Sequence, residues 1–146
     1  MEDQPVLVPM LGALLRAPVR AISARIAADL AAAGYGDLRP AHLAVFQHLP
    51  AAGARSTALA ERAQMTKQSM GALIDYLAER GYVERVPEPT DQRARVVCRT
   101  ARGWAVERAA RESLERLEGE WGAYLGADRM REFRAALTDL GTLLNR

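Results

Sequence analysis

Hydrophobic positions in the first third of the chain fall at steps of three and four: Leu11, Leu14, Leu15, Val19, Ile22, Ile26 and Leu30. Such spacing predicts a long helix with one apolar face, and Arg16, Arg20, Arg25 and Asp29 lie mostly off that face. Pro18 lies inside the pattern and is expected to kink or break the helix, because its ring removes an N–H and crowds the preceding turn. Gly34 and Gly36 end the segment, and Pro40 suits the first turn of the next helix. Leu43, Phe46 and Leu49 give the second helix a buried face, which ends before Ala51-Ala52-Gly53. Ser56 is then expected to cap a short third helix running through Leu59 and Ala63.

A second cap follows at once. Thr66 precedes Lys67-Gln68-Ser69-Met70, and Met65 and Met70 occupy the two positions of a hydrophobic staple. Met70, Leu73, Ile74 and Leu77 form the apolar stripe of a fourth helix, which Gly81 stops. Two helices joined through Gln64-Met65 read as a helix-turn-helix. Tyr82–Val86 is a short strand candidate, Pro87–Arg93 carries turn chemistry, and Arg95–Arg99 (RVVCR) is the returning strand. A helix-turn-helix followed by a hairpin is a winged helix.

Thr100 can cap the last helical region, where Leu114, Leu117, Trp121 and Tyr124 step at three, four and three. After a break near Gly126, the seam resumes with Met130, Phe133, Leu137, Leu140 and Leu144. Seams of this kind are what one helix offers another. One small domain has little core to cover three long amphipathic faces at its two ends, so the first helix and the last two are expected to pack on a second copy. The fold class expected is mostly α with a small β-hairpin wing: a winged helix-turn-helix at about 38–100, flanked by dimerisation helices at about 5–33 and 101–146. With no internal repeat or linker, residues 1–146 read as a single domain.

Composition narrows the function. The chain has 146 residues, 49% hydrophobic and 26% charged, which is ordinary for one globular domain. A single cysteine, Cys98, closes no internal disulfide and fits a reducing cytosol; its place on the returning strand suits a small packing residue. No apolar run reaches the roughly 18 residues of a membrane span, and the start MEDQPVLVPM is acidic where a signal peptide is basic. The expectation is a cytoplasmic protein without membrane association. His42 and His48 are six apart, about 240° around a helix, and so share no face as paired metal ligands would. With no HExxH, CxxC, Walker or GxGxxG pattern, no enzyme, metal site or cofactor is expected.

Net charge is only +2, from twenty basic residues, nineteen of them arginine, against eighteen acidic. Its distribution says more than its total. Arg55 to Arg102 holds nine basic and six acidic residues, whereas Glu107 to Arg146 holds seven and eight. The positive excess falls on the winged helix, the part that would meet nucleic acid.

The stretch Leu59 to Gly103, LAERAQMTKQSMGALIDYLAERGYVERVPEPTDQRARVVCRTARG, resembles the MarR family of transcriptional regulators. Leu77–Arg85, the wing Asp91-Gln92-Arg93-Ala94-Arg95 and Thr100–Gly103 carry the resemblance most closely. It implies a homodimer whose two winged helices bind double-stranded DNA at a pseudo-palindromic operator. The implied role is a repressor relieved by a small aromatic or other hydrophobic effector. Two departures stand out: Gln92 replaces a frequent arginine, and Arg99 a frequent leucine. Peroxide-sensing members carry a cysteine near the N-terminus, where this chain has none.

Helical geometry assigns the DNA surface. With Met70, Leu73, Ile74 and Leu77 buried, Gln68, Gly71, Ala72, Asp75 and Glu79 face outward. Gln68, near the helix start, is placed to pair with adenine, and Ala72 to touch a thymine methyl. Thr66, Lys67 and Ser69 sit at the positive end of the helix and suit phosphate contacts, as does Ser56 at the start of the third helix. Asp75 and Glu79 read as solvated charge. Arg93 and Arg95 would enter a minor groove, and the resemblance implies that Asp91 pairs with Arg93 and orients it. The resemblance also implies an effector pocket between the dimerisation helices and the winged helix, where His42, Phe46 and Trp104 are the candidate contacts by position. The competing reading is a winged-helix module that binds protein and no DNA.

Overall fold

A computed structural model describes residues 9–144. The first helix, α1 (Leu11–Leu30), is continuous through Pro18, so the break that the sequence allowed there does not occur. The carbonyl that Pro18 leaves without a donor belongs to the exposed Leu14, so water can serve it. The expected start of this segment near residue 5 lies outside the described residues. The chain then turns through Ala31–Tyr35, where Gly34 takes a left-handed φ of 93°, and leads to α2 (Pro40–His48), with Pro40 in its first turn as expected. Then come α3 (Ser56–Arg62), α4 (Lys67–Glu79), β1 (Val83–Glu88), β2 (Asp91–Arg99), α5 (Ala101–Leu125) and α6 (Ala127–Leu144). The architecture is mostly helical with one two-stranded hairpin, as the periodicity predicts.

Helices α3 and α4 end in the same way. At the end of α3, Met65 N–H donates to Ala60 O at 2.8 Å and Gln64 N–H to Glu61 O at 3.1 Å. At the end of α4, Tyr82 N–H donates to Leu77 O at 2.9 Å and Gly81 N–H to Ala78 O at 3.0 Å. Both are Schellman motifs, in which the residue after the cap takes a left-handed backbone. Gly81 does so freely at φ 73°, whereas Gln64 does so at φ 52° with a Cβ in place. Thr66 then opens α4, its hydroxyl accepting from Ser69 N–H at 3.1 Å, so the turn between the helices is closed from both sides. Ser56 is not the cap of α3. It is the first helical residue, and Arg55 holds the cap position without a side-chain cap bond.

The core lies in the middle of the chain. Leu30, Val45, Leu59, Met70, Ile74, Leu77, Tyr82, Val83, Val97 and Val106 are all buried. Each strand is longer than the sequence pattern suggests, because Pro87 and Glu88 still pair. Antiparallel register runs from Val83↔Arg99 to Pro87↔Arg95 and then jumps to Glu88↔Asp91, so Gln92, Arg93 and Ala94 bulge from β2. Ala54 adds a bridge on the far side of β2, exchanging bonds with Val97 at 3.1 and 2.8 Å. Beside it, Gly53 has φ 83°, and a Cβ there would stand 2.6 Å from Cys98 Sγ. Cys98 therefore packs against a glycine.

Helix α1 packs on α5 only through its C-terminal half. A polar lock holds the pair: Asp29 accepts from Ser113 Oγ at 2.6 Å and from Arg116 at 3.0 Å, and Arg25 forks onto Glu120 at 2.8 and 3.1 Å. The bonds from Ser113 and Arg116 hold the Asp29 carboxyl below its ordinary pKa. Met10, Leu11, Leu14, Leu15 and Val19 at one end, and Phe133, Leu137, Leu140, Leu143 and Leu144 at the other, are exposed. No residue described in α6 is buried.

Helices α2 and α4 meet through His42. Its ring stacks on Tyr76 with centroids 4.0 Å apart and planes 6° from parallel, and Arg80 covers the other face of Tyr76 at 3.4 Å. Nδ1 accepts from Arg39 N–H at 2.9 Å, which caps α2. Burial first, then Arg39 and Arg80, lower the His42 pKa, opposed in part by Asp37. A proton on Nδ1 would end the cap and add a charge beside two guanidinium groups.

Two expectations follow for stability. Replacing Gly81 by Ala should cost about 1–2 kcal/mol, whereas Gln64→Gly should cost nothing and gain up to ~1 kcal/mol; urea midpoints measure both, and equal shifts in one direction would contradict the paired motifs. The folded state binds fewer protons at His42 than the unfolded chain does. Its contribution is therefore complete above the ordinary value of 6.5 and is lost as pH falls through 6.5 towards the lowered folded value. Unfolding at pH 7.5 and 5.5 should show a smaller acid loss in His42→Phe than in wild type, and an unchanged loss would refute this role.

Candidate nucleic-acid interface

The outward side of α4 carries the residues that the helical period places there. Thr66, Lys67, Gln68, Ser69, Ala72, Asp75 and Glu79 are exposed, and Gly71 is half-buried. The Thr66 hydroxyl donates to Ser69 Oγ at 2.8 Å while accepting from Ser69 N–H, so these two hydroxyls are fixed at the first turn of α4. The first turn contains no acidic residue, and its free N–H groups and dipole present a positive end. Ser56, half-buried, sits at the first turn of α3.

The wing extends this surface. Arg93 and Arg95 are exposed, Arg93 within the bulge and Arg95 just after it, opposite Pro87. Pro87 has no N–H to donate, which suits it to the place where the ladder slips. Asp91 does hold Arg93, by a different bond from the side-chain pairing expected: its Oδ1 accepts from the Arg93 backbone N–H at 3.1 Å. The carboxylate thus shapes the turn, on which Arg93 is exposed.

Two charge pairs at this surface have no counterpart in the sequence reading. Arg55 donates through Nε to Glu88 at 2.8 Å, tying the start of α3 to the wing. Arg85 on β1 donates to Asp75 on α4 at 2.7 Å. Asp75, read from sequence as solvated, is half of an ion pair. Period-two alternation along β1, which puts Arg85 on the same face as the buried Val83, was the available signal.

Behind the interface lies a cavity of about 350 Å³. Ile26 of α1, Leu43 and Phe46 of α2, Arg99 of β2, and Val106 and Leu114 of α5 are among its lining residues. Of the three residues expected there, Phe46 lines it. His42 is turned away from the cavity onto Tyr76, as described above. Trp104 stands behind Arg99, whose guanidinium lies 4.7 Å over its ring. Arg99 was expected as a polar side chain in a packing position. It is nearly fully buried: its Nη2 and Nη1 donate to Phe46 O at 2.7 Å and Pro50 O at 3.2 Å, while its Nε lies 2.6 Å from Glu107 Oε2 as an ion pair without hydrogen-bond geometry. Buried guanidinium is tolerated only with such partners. It joins the base of the wing to α2 and α5 at the cavity wall.

Among the described residues there is no cluster of three metal-ligating side chains, and no helix is long and apolar enough to cross a membrane. Residues 36–94 match the sequence model of the MarR family. No curated protein sequence matches the chain. Among solved structures, MarR from E. coli in its apo form is similar, with a TM-score of 0.71 and 21% identity over 91% of this chain and 98% of that one. CouR from Rhodococcus jostii, bound to p-coumaroyl-CoA, gives a TM-score of 0.69 and 21% identity over 94% and 95%. A transcriptional regulator from Thermotoga maritima gives 0.66 and 22% over 91% and 92%. The winged-helix segment thus matches the MarR family's sequence model, and the described chain shares the fold of these solved regulators.

Proposed function

We propose that the protein is a homodimeric, sequence-specific DNA-binding regulator, acting as a repressor that a small aromatic or other hydrophobic effector releases. One observation carries this most: the exposed, positively ended first turn of α4 and the arginine-bearing bulge of the wing flank one surface. In winged helices of this order, the helix reads base edges in the major groove and the wing reaches the neighbouring minor groove. Gln68 and Ala72 are the base-reading residues. Thr66, Lys67, Ser69 and Ser56 contact phosphates, Arg93 and Arg95 enter the minor groove, and Asp91 sets the wing turn. The winged-helix part spans about 38–100.

The second copy follows from the exposed leucines of α1 and α6, which form apolar faces too long for a solvated surface. Covering them with the same faces of a partner gives an isologous dimer, and a two-fold dimer reads a pseudo-palindrome. The cavity beside Arg99 lies between the dimerisation helices and the winged helix, where an apolar ring would touch α1, α2, β2 and α5 together. CouR, of the same fold, was solved with an aromatic acyl-CoA.

Binding to a duplex taken from the DNA upstream of its own gene, against an unrelated duplex of equal length, tests the reading at two salt concentrations. Arg93→Ala with Arg95→Ala should cut affinity at least about tenfold and flatten the salt dependence, while the dimer persists. Equal, weak binding to both duplexes would refute it. Sedimentation should give twice the 16.0 kDa chain mass, and Leu137→Glu should yield a folded monomer; a monomeric wild type would refute the dimer.

A further inference from the structure

On the exposed stripe of α4, Gln68, Ala72 and Asp75 follow one another at steps of four and three. A carboxylate in line with the base-reading residues is unfavourable against DNA, because each approaching phosphate repels it. The fold answers this charge from the neighbouring strand. Val83 and Arg85 share one face of β1; Val83 is buried, and Arg85 reaches past the edge of the core towards α4. Its Nη2 donates to Asp75 Oδ1 at 2.7 Å. The Asp75 side chain is 63% exposed and that of Arg85 36%, so the pair is open to whatever approaches the helix. Exposed pairs of this kind add little to folding stability. Stability therefore does not account for an arginine held over the recognition surface.

We infer that Arg85 has two tasks at the DNA surface: it masks the Asp75 carboxylate and, with the rest of its fork, takes a phosphate at the rim of the groove. This deepens the DNA-binding reading and rests on it. A guanidinium carries five N–H donors, and Asp75 takes one, so the group can bridge carboxylate and phosphate together. Asp75 is then a positioning residue: it holds the arginine beside α4, where the phosphate arrives. Arg55, held by Glu88 at the other side of the surface, shows the same carboxylate tethering.

A double-substitution cycle on the intact dimer tests the inference, using the upstream duplex described above and a random-sequence duplex of the same length. Arg85→Ala should weaken binding to both by about tenfold. It should also lower the slope of log affinity against log salt by about two per dimer, since each lost phosphate contact removes ~0.9. Arg85→Lys should keep that slope. Asp75→Asn should restore at least about threefold of the loss in the Arg85→Ala background, and should change wild type by a smaller factor, because only there is the carboxylate masked. An unchanged slope in Arg85→Ala overturns the phosphate contact. Equal effects of Asp75→Asn in both backgrounds overturn the masking. Both results leave the DNA-binding reading intact, whereas a wild type without salt-dependent affinity for either duplex overturns that reading and this inference with it. Circular dichroism and sedimentation should be unchanged in every variant.

Discussion

Tyr82 is the residue on which the interface geometry turns. Its N–H closes the end of α4 on Leu77, and its carbonyl accepts from Thr100 N–H at 3.2 Å, where α5 begins. Its ring is fully buried, edge-on to Tyr35. Its hydroxyl donates to Asp37 at 2.7 Å and accepts from Arg102 at 3.1 Å. A single residue, through its backbone and its side chain together, thus ties the connection before α2, the end of α4, the root of β1 and the start of α5. In the proposed DNA complex, a helix and a wing meet two grooves of one duplex and need a fixed mutual orientation. Tyr82 supplies it at the point where α4 runs into β1. Asp37 extends the tie, since it also accepts from Tyr76 through its carbonyl and lies 3.6 Å from Arg80.

Arginine is used in two contrasting ways. Arg99, Arg80 and Arg102 lie against aromatic rings and polar partners inside the winged helix, where a planar guanidinium can stack and donate at once. Arg93 and Arg95 extend from the wing. Between these extremes, Arg55 and Arg85 are held by carboxylates at the surface. A net charge of +2 hides this division, because most of the acidic residues near the interface hold particular arginines.

Much of this was legible in the sequence. Caps and stops were the clearest part: Thr66 and Thr100 cap where expected, and Gly81 ends α4, because each acts through bonds within a few residues. Apolar stripes located the core of α4 for the same reason. Ser56 misled because a hydroxyl near a helix start satisfies the same pattern whether or not it lies in the cap position. Pro18 does not break α1, because whether a helix tolerates proline depends on what its orphaned carbonyl meets, which periodicity does not show. The pairs Asp75–Arg85, Arg55–Glu88 and Arg99–Glu107 join residues eight or more positions apart, and only the packing of strands against helices brings them together. His42 could be read as buried, but its partner Tyr76 lies on another helix.

The central claim is that two copies of this winged helix, joined through the apolar faces of α1 and α6, read one symmetric stretch of DNA. Selection of duplexes from a random-sequence pool by the wild-type protein tests it most directly. The account predicts an enriched sequence with two inverted half-sites, their centres one helical turn of about 10–10.5 base pairs or a multiple of it apart. Enrichment of a single half-site without symmetry, or no enrichment over the starting pool, would contradict it.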